Sequence, residues 1–377
     1  MATRVAAASA AGTARPAAGG PRRGLVLGGG GMLGAAWTVG ALCAVEEATG
    51  RQPGEADVLL GTSAGAILAA MLAGGVRPEH LRDHQRGLPI TEGPLAGVDF
   101  DYDTAVGGAL PPRPRVGIGS PGLLRDAVRH PREYPLLTMV SALAPHGRGS
   151  LAPVGELVRG LLGDTGPLGG GGPAGDDGRP EPGGGGSPLR VVAVDYRSGR
   201  RVVFGDPGAP AVPVPDAVMA SCAIPGWFVP VRLDGSAYVD GGCWSATNAD
   251  LMLGRGLDEV YVLAPMALRL DPRPGRAGRR GGLASGRDTL AALREWRARE
   301  RPRGVLAQLV SRYRHAVTRQ LLREAALLRA EGVRVLLLAP TPADLAAMGP
   351  NMMDPARRGA VLESALRTGR EALRPRR

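Results

Sequence analysis

The stretch Gly61-Thr62-Ser63-Ala64-Gly65 is where the residue types and their spacing most directly suggest chemistry. It reads G-x-S-x-G. Asp57-Val58-Leu59-Leu60 before it has the composition of a short buried strand. Ala66-Ile67-Leu68-Ala69-Ala70-Met71-Leu72 after it has that of a helix. A serine between strand and helix sits on a sharp turn that presents its hydroxyl as a nucleophile. Gly61 and Gly65 relieve crowding at that turn. The helix N-terminus adds a field that favours negative charge. A Gly-Ser loop without chemistry is the competing reading, and the strand–turn–helix context argues against it.

A second cluster precedes it. Gly24-Leu25-Val26-Leu27 reads as a buried strand, followed by Gly28-Gly29-Gly30-Gly31-Met32-Leu33-Gly34 and a helical run over residues 35–48. Consecutive glycines leave backbone N–H groups uncovered, able to hold a phosphate or a developing oxyanion. The same residues satisfy G-x-G-x-x-G as Gly29, Gly31 and Gly34, with Glu55 or Asp57 near the ribose-binding distance. On this motif alone a dinucleotide site stays open. The third element is Tyr238-Val239-Asp240-Gly241-Gly242, a short apolar strand that delivers an aspartate at its end. Taken singly, an Asp-Gly-Gly is as easily a solvated turn.

Taken in this order, the three motifs resemble the patatin-like phospholipase family. Gly29 to Gly34 resembles that family's oxyanion-hole motif, Gly61 to Gly65 its nucleophile motif, and Asp240-Gly241-Gly242 its aspartate motif. Ala220-Ser221-Cys222-Ala223-Ile224-Pro225 and Phe228-Val229-Pro230 resemble the segment preceding that aspartate. The resemblance covers roughly residues 23–265. It implies a lipid acyl hydrolase with Ser63 as nucleophile, Asp240 as general base, no histidine, and oxyanion donors at Gly30 and Gly31. It implies no metal and no cofactor. One position departs from the pattern: family members usually carry Arg or Lys just before the last glycine of the first motif. Here Leu33 stands there, and the chain contains no lysine.

The elements that must position these residues alternate between strand and helix. Residues 189–194, 201–204, 259–263 and 333–338 read as further strands. Residues 153–162, 215–220 and 248–254 read as helices, with helical pieces at 123–128 and 136–143 inside an otherwise irregular stretch, 76–149. A long helix is expected over 305–330. Its apolar stripe is Leu306, Leu309, Val310, Tyr313, Val317, Leu321 and Leu328. Asp354 is expected to cap a last helix. Such alternation predicts an α/β fold with a parallel-rich central sheet covered by helices on both faces.

The expected organisation is a disordered tail over 1–22 and a catalytic domain over 23–265. A Gly/Pro-rich disordered insertion falls near 163–188. A basic linker over 266–304 leads to a C-terminal helical segment with one strand, 305–377, packed on the catalytic domain.

At 377 residues and 44% hydrophobic, the chain can build a sizeable core, but aromatics are only 3%, so Leu, Val and Ala must fill it. Net charge is +11. Residues 269–303 hold eleven arginines against four acids, and residues 355–377 seven against two. A basic face of this kind suits peripheral contact with an anionic membrane, although a solvated basic surface explains it equally. No zinc spacing or nucleic-acid motif accompanies the charge, so no nucleic-acid partner is expected. Cys43, Cys222 and Cys243 are scattered and odd in number, which suits a reducing, cytoplasmic compartment. No secretory signal and no spanning segment is expected.

Two rival chemistries remain to be weighed. A Ser-His-Asp hydrolase needs a histidine after its acid, and only His315 follows Asp240, inside a helical run. A non-catalytic lipid-binding protein would explain Leu33 but not the intact Ser63, Asp240 and glycines.

Overall fold

The computed structural model describes residues 20–98, 100, 110, 112–162, 168, 187–269 and 305–374. Eight strands form one sheet: β1 (Arg23–Leu27), β2 (Val58–Thr62), β3 (Leu189–Asp195), β4 (Arg201–Phe204), β5 (Val231–Leu233), β6 (Ser236–Asp240), β7 (Glu259–Leu263) and β8 (Arg334–Leu338). The order is β5-β6-β3-β2-β1-β7-β8, with β4 also on β3. The pairings β1–β2, β1–β7, β2–β3 and β7–β8 are parallel, and those of β3 with β4 and β6, and of β5 with β6, are antiparallel.

Alternation along the strands divides the core into two layers, because successive side chains point to opposite faces. Leu25, Leu27, Leu59, Val191 and Ala193 face one way. They pack beneath α1 (Gly31–Thr49), α2 (Ala64–Ala73), α6 (Ala152–Leu162) and α7 (Val214–Cys222). Val26, Leu60, Val192, Val260 and Val262 face the other way, against Val317, Leu321 and Leu328 of the long helix α8 (Val305–Ala330). Burial on both faces explains why these strands read as continuous apolar runs. Three further helices, α3 (Pro78–Gln85), α4 (Pro121–Arg129) and α5 (Leu136–Leu143), follow α2 in the chain; α3 packs on α1, and α4 and α5 pack on each other. Near the C-terminus, α9 (Pro342–Met348) and α10 (Arg358–Leu373) follow β8, and α10 packs on α1. No helix among the described residues is long and apolar enough to cross a membrane.

Several local expectations change. α3 carries Pro-Glu-His-Leu-Arg-Asp-His-Gln, whose single buried leucine, Leu81, leaves no apolar stripe to detect. α9 begins at a capping box between Thr341 and Asp344, inside a stretch with no helical reading. Residues 248–254, expected as a helix, shrink to a 3-10 turn at Ala249–Met252, because left-handed Asn248 and Gly254 stop propagation at either end. Asp354 caps a 3-10 turn, Pro355–Arg357, that leads into α10. On α8, Leu309 is 55% exposed, whereas Arg314, Thr318 and Glu324 are buried. Leu168, inside the expected insertion, is buried and bridges Val212. The rest of that insertion before Ser187, residues 1–19 of the expected tail and the 270–304 part of the basic linker lie outside the described residues.

Candidate active site

Ser63 joins β2 to α2 with φ 54° and ψ −128°. A positive φ is costly for a residue with a Cβ, about 1–3 kcal/mol, and persists only where neighbours hold it. Here the Ser63 N–H donates to Ser221 Oγ at 2.9 Å, and that hydroxyl donates to Val192 O at 2.6 Å. The turn is thereby tied to α7 and to β3. Gly65 allows the first turn of α2 to pass over the end of β1: a Cβ there would stand 2.0 Å from Leu27 O. Gly61 is packed as closely from below, against Ala66.

Asp240 reaches Ser63 through strand register. β4 overlaps both β2 and β6 along β3, pairing at 191–192 beside the first and at 193–194 beside the second. β2 and β6 must therefore share the opposite edge of β3, end to end. Thr62 lies opposite Val192 and Asp240 opposite Ala193, so the two carboxyl ends meet head to head. Gly241 continues the contact: a Cβ on it would stand 2.4 Å from Val192 O and 3.2 Å from Thr62 Cγ2. Although the sheet is parallel-rich as expected, it is an antiparallel strand, β6, that meets β2 here.

Asp240 is 5% exposed. Its Oδ1 accepts from Gly242 N–H at 2.6 Å. Oδ2 is buried and has no partner at full hydrogen-bond geometry, although the Ser63 hydroxyl is near enough to favour the ionised form. Burial outweighs the Ser63 and Gly242 contacts and pushes the Asp240 pKa up to about 6. A carboxylate of that basicity, beside a serine hydroxyl, can exchange a proton with it near neutral pH.

The glycine loop lies against the same turn. A Cβ on Gly29 would stand 3.0 Å from Ser63 Cβ. Gly28 N–H donates to Leu263 O and Gly29 N–H to Ala246 O, at 2.9 and 2.8 Å. Beyond them, Leu33 N–H donates to Met352 O and Gly34 N–H to Gly30 O, each at 3.0 Å. Gly30 and Gly31 lie between these anchors, and Gly31 takes φ +61°, which suits glycine. The Leu33 side chain is fully buried, so this position faces the core and its backbone is held by Met352 instead.

Asp57, the candidate ribose ligand, is at the wrong end of the sheet. It accepts from Arg22 Nε and Arg23 N–H at the start of β1, whereas the glycine loop follows the strand's end. Asp57 is therefore not placed to serve a nucleotide held by those glycines. His315 Nδ1 bonds Ser311 O within α8, and no histidine is among the cleft-lining residues.

Ser63 and Gly31 open onto a cleft of about 780 Å³, open mouth included. Met32 and Ala35 of α1, Ile67 and Met71 of α2, Leu157 of α6 and Phe228 line it. Ser63 and Gln85 supply its hydroxyl and amide side chains. Motif reading overlooked Ser221 as the partner of the Ser63 N–H, although it lies inside the Ala220 to Pro225 segment already singled out. It also overlooked Asn248, whose Nδ2 donates to Thr62 Oγ1 at 3.1 Å, and Met353, which lines the cleft.

Among solved structures the chain is similar to VipD from Legionella pneumophila, at 16% identity and a TM-score of 0.39, over 94% of this chain and 67% of that one. A family model for Patatin-like phospholipase matches residues 25–253, a span that holds Ser63, Asp240, all the motif glycines and most of the cleft. With more than half of its 377 residues inside that match, the chain belongs to the patatin-like phospholipase family of lipid ester hydrolases.

Proposed function

We propose that Ser63 and Asp240 form a two-residue catalytic unit that cleaves lipid carboxylic esters. Ser63 Oγ attacks the ester carbonyl carbon while its proton passes to the Asp240 carboxylate. The backbone N–H groups of Gly30 and Gly31 hold the oxyanion that develops, a type of contact worth about 2.7–4 kcal/mol per donor. Collapse expels the alcohol, which takes the proton from Asp240, and leaves an acyl group on Ser63. Water then attacks that acyl carbon, gives its proton to Asp240, and releases the fatty acid as Ser63 recovers its hydrogen.

The observation that carries this reading is the meeting of the Ser63 turn with the strand end that bears Asp240, with Ser63 in the wall of an apolar cleft. Burial keeps Asp240 basic enough to accept a proton, and Oδ2 has no competing partner at full geometry. The cleft beside Ser63 runs along α2 through Ile67, Leu68 and Met71, which suits an acyl chain. Leu33, in place of the family's usual cation, favours the second reading, a catalytically weak lipid-binding protein. A fluorophosphonate probe separates the two. Labelling of the wild type but not of Ser63→Ala, together with fatty-acid release from phospholipid, supports the hydrolase. An unlabelled, inert but folded wild type supports the binding protein.

The reading extends to peripheral contact with an anionic membrane. α5 exposes Leu136, Val140 and Leu143 on one face, with exposed Arg129, Arg132 and Arg148 in adjoining segments. Its buried side touches the site, where Thr138 Oγ1 donates to Cys243 O at 2.7 Å. Apolar side chains edged by cations suit insertion at an anionic lipid surface.

A further inference from the structure

Glu324 lies on α8, outside the span of the family match, and is 1% exposed. Among the described residues no cation pairs with it. Its carboxylate instead takes four donors: Ser245 Oγ at 2.6 Å and Gln320 Nε2 at 3.1 Å on Oε1, Thr247 Oγ1 at 2.6 Å and Ala249 N–H at 2.9 Å on Oε2. An uncompensated buried carboxylate is costly, and burial raises the pKa of this one. The hydrogen bonds are what Glu324 supplies in return, and three of them go to one short loop, residues 245–249.

That loop touches all three motifs. Ala246 O accepts from Gly29 N–H at 2.8 Å, which ties down the glycine loop. Asn248 Nδ2 donates to Thr62 Oγ1 at 3.1 Å, one residue before Ser63. The same amide reaches Gly241 O at 3.4 Å, one residue after Asp240. Asn248 is held at φ 53°, and its N–H donates to Ser245 Oγ at 3.1 Å. Ser245 Oγ also accepts from Thr247 N–H at 3.3 Å, so its own proton must go to Glu324.

We propose that Glu324 is a positioning residue for the catalytic centre: through residues 245–249 it sets the mutual placement of the glycine loop, the Ser63 turn and the Asp240 turn. The proposal rests on the Ser63 and Asp240 reading. It makes Glu324→Gln a sharp test, because no orientation of a glutamine amide fits. An NH₂ at the Oε1 position would require Ser245 Oγ to accept a third donor. An NH₂ at the Oε2 position would face the Ala249 N–H donor to donor.

Glu324→Gln is to be compared with Leu328→Ala, which opens a cavity one turn further along the same helix at a fully buried side chain and leaves the four hydrogen bonds of Glu324 in place. Tm, kcat and KM are measured on a short-chain ester, with Ser63→Ala and Asp240→Asn run beside them. The expected result is a kcat loss of about 10–100-fold in Glu324→Gln with KM within about twofold, the size seen when supporting contacts of a site are removed. Leu328→Ala, at equal or lower Tm, keeps kcat within about twofold. A wild-type kcat in Glu324→Gln, or a loss no greater than that of Leu328→Ala, overturns the proposal and leaves Glu324 a staple between helix and sheet. Should Glu324→Gln fail to fold, Thr247→Val removes one contact of the same carboxylate, and an unchanged kcat there overturns the idea equally. If Ser63→Ala or Asp240→Asn stays active, the dyad reading falls on its own account. If both are inactive while Glu324→Gln is normal, only the positioning role is lost.

Discussion

Ser63 and Asp240 stand where two strands meet head to head on one edge of β3: Thr62, just before the serine, lies opposite Val192, and Asp240 lies opposite Ala193. Residues far apart in the chain are thereby placed together by backbone pairing alone, before any side-chain contact between them is counted. The serine supplies a strained turn that lines the cleft and the aspartate a buried, basic carboxylate.

If these two residues act as one unit, their losses should not add. Ser63→Ala and Asp240→Asn should each lower kcat/KM for a short-chain ester by at least about 10³-fold, and the double variant should lose little more than either. Circular dichroism should show the fold retained. His315→Ala should stay within about threefold of wild type. An inactive, folded His315→Ala beside an active Asp240→Asn would replace the dyad with a triad.

The raised pKa of Asp240 has two consequences with defined signs. As a general base it works when deprotonated, so kcat/KM for a non-ionising ester should rise with pH through about 6 and level off above it. For stability the sign is opposite. With a folded pKa above the ordinary aspartate value of 3.8, the folded state holds the proton more tightly. This stabilisation is full below about pH 4 and is lost as pH rises through about 6, a change on the order of 3 kcal/mol. Asp240→Asn should therefore melt at or above the wild-type temperature at pH 8. A clear drop in Tm there would contradict the desolvation account.

Chain-length preference should follow the cleft. Ile67 lies one turn beyond Ser63 on α2 and lines the cavity. Ile67→Trp should cut hydrolysis of esters with acyl chains of about ten carbons or more at least tenfold, and change acetyl or butyryl esters by less than about threefold. Each buried methylene contributes about 0.8 kcal/mol, so loss of two already accounts for that ratio. A uniform loss across chain lengths would place the acyl chain elsewhere.

The exposed face of α5 predicts how the protein meets lipid. Replacing Leu136, Val140 and Leu143 together by Ser should weaken co-sedimentation with anionic vesicles at least about fivefold, while hydrolysis of a dissolved ester is unchanged. Binding of the wild type should also fall as salt rises from about 0.05 to 0.5 M, because screening shortens the reach of each arginine. Equal binding to neutral and anionic vesicles at every salt level would remove the electrostatic part.

The sequence by itself determined the local elements and the identity of the chemistry-bearing residues. Leu136–Leu143, Val305–Ala330 and Glu259–Leu263 were legible to the residue, because apolar periodicity and helix-breaking neighbours act over a few positions. The Gly-x-Ser-x-Gly turn was legible for the same reason: its strained backbone needs those residue types locally. What the tertiary structure decided is which distant pieces meet. Antiparallel β6 abutting β2 on β3, Ser221 under the Ser63 N–H and Glu324 beneath residues 245–249 all depend on register and packing between residues far apart in the chain. Glu324 sits on a helix whose pattern points only to apolar burial, so nothing local distinguishes it from a solvated glutamate. Its role follows from the donors that the folded sheet sets in front of it, because a buried hydrogen-bonding group is defined by its partners rather than by its own position in the chain.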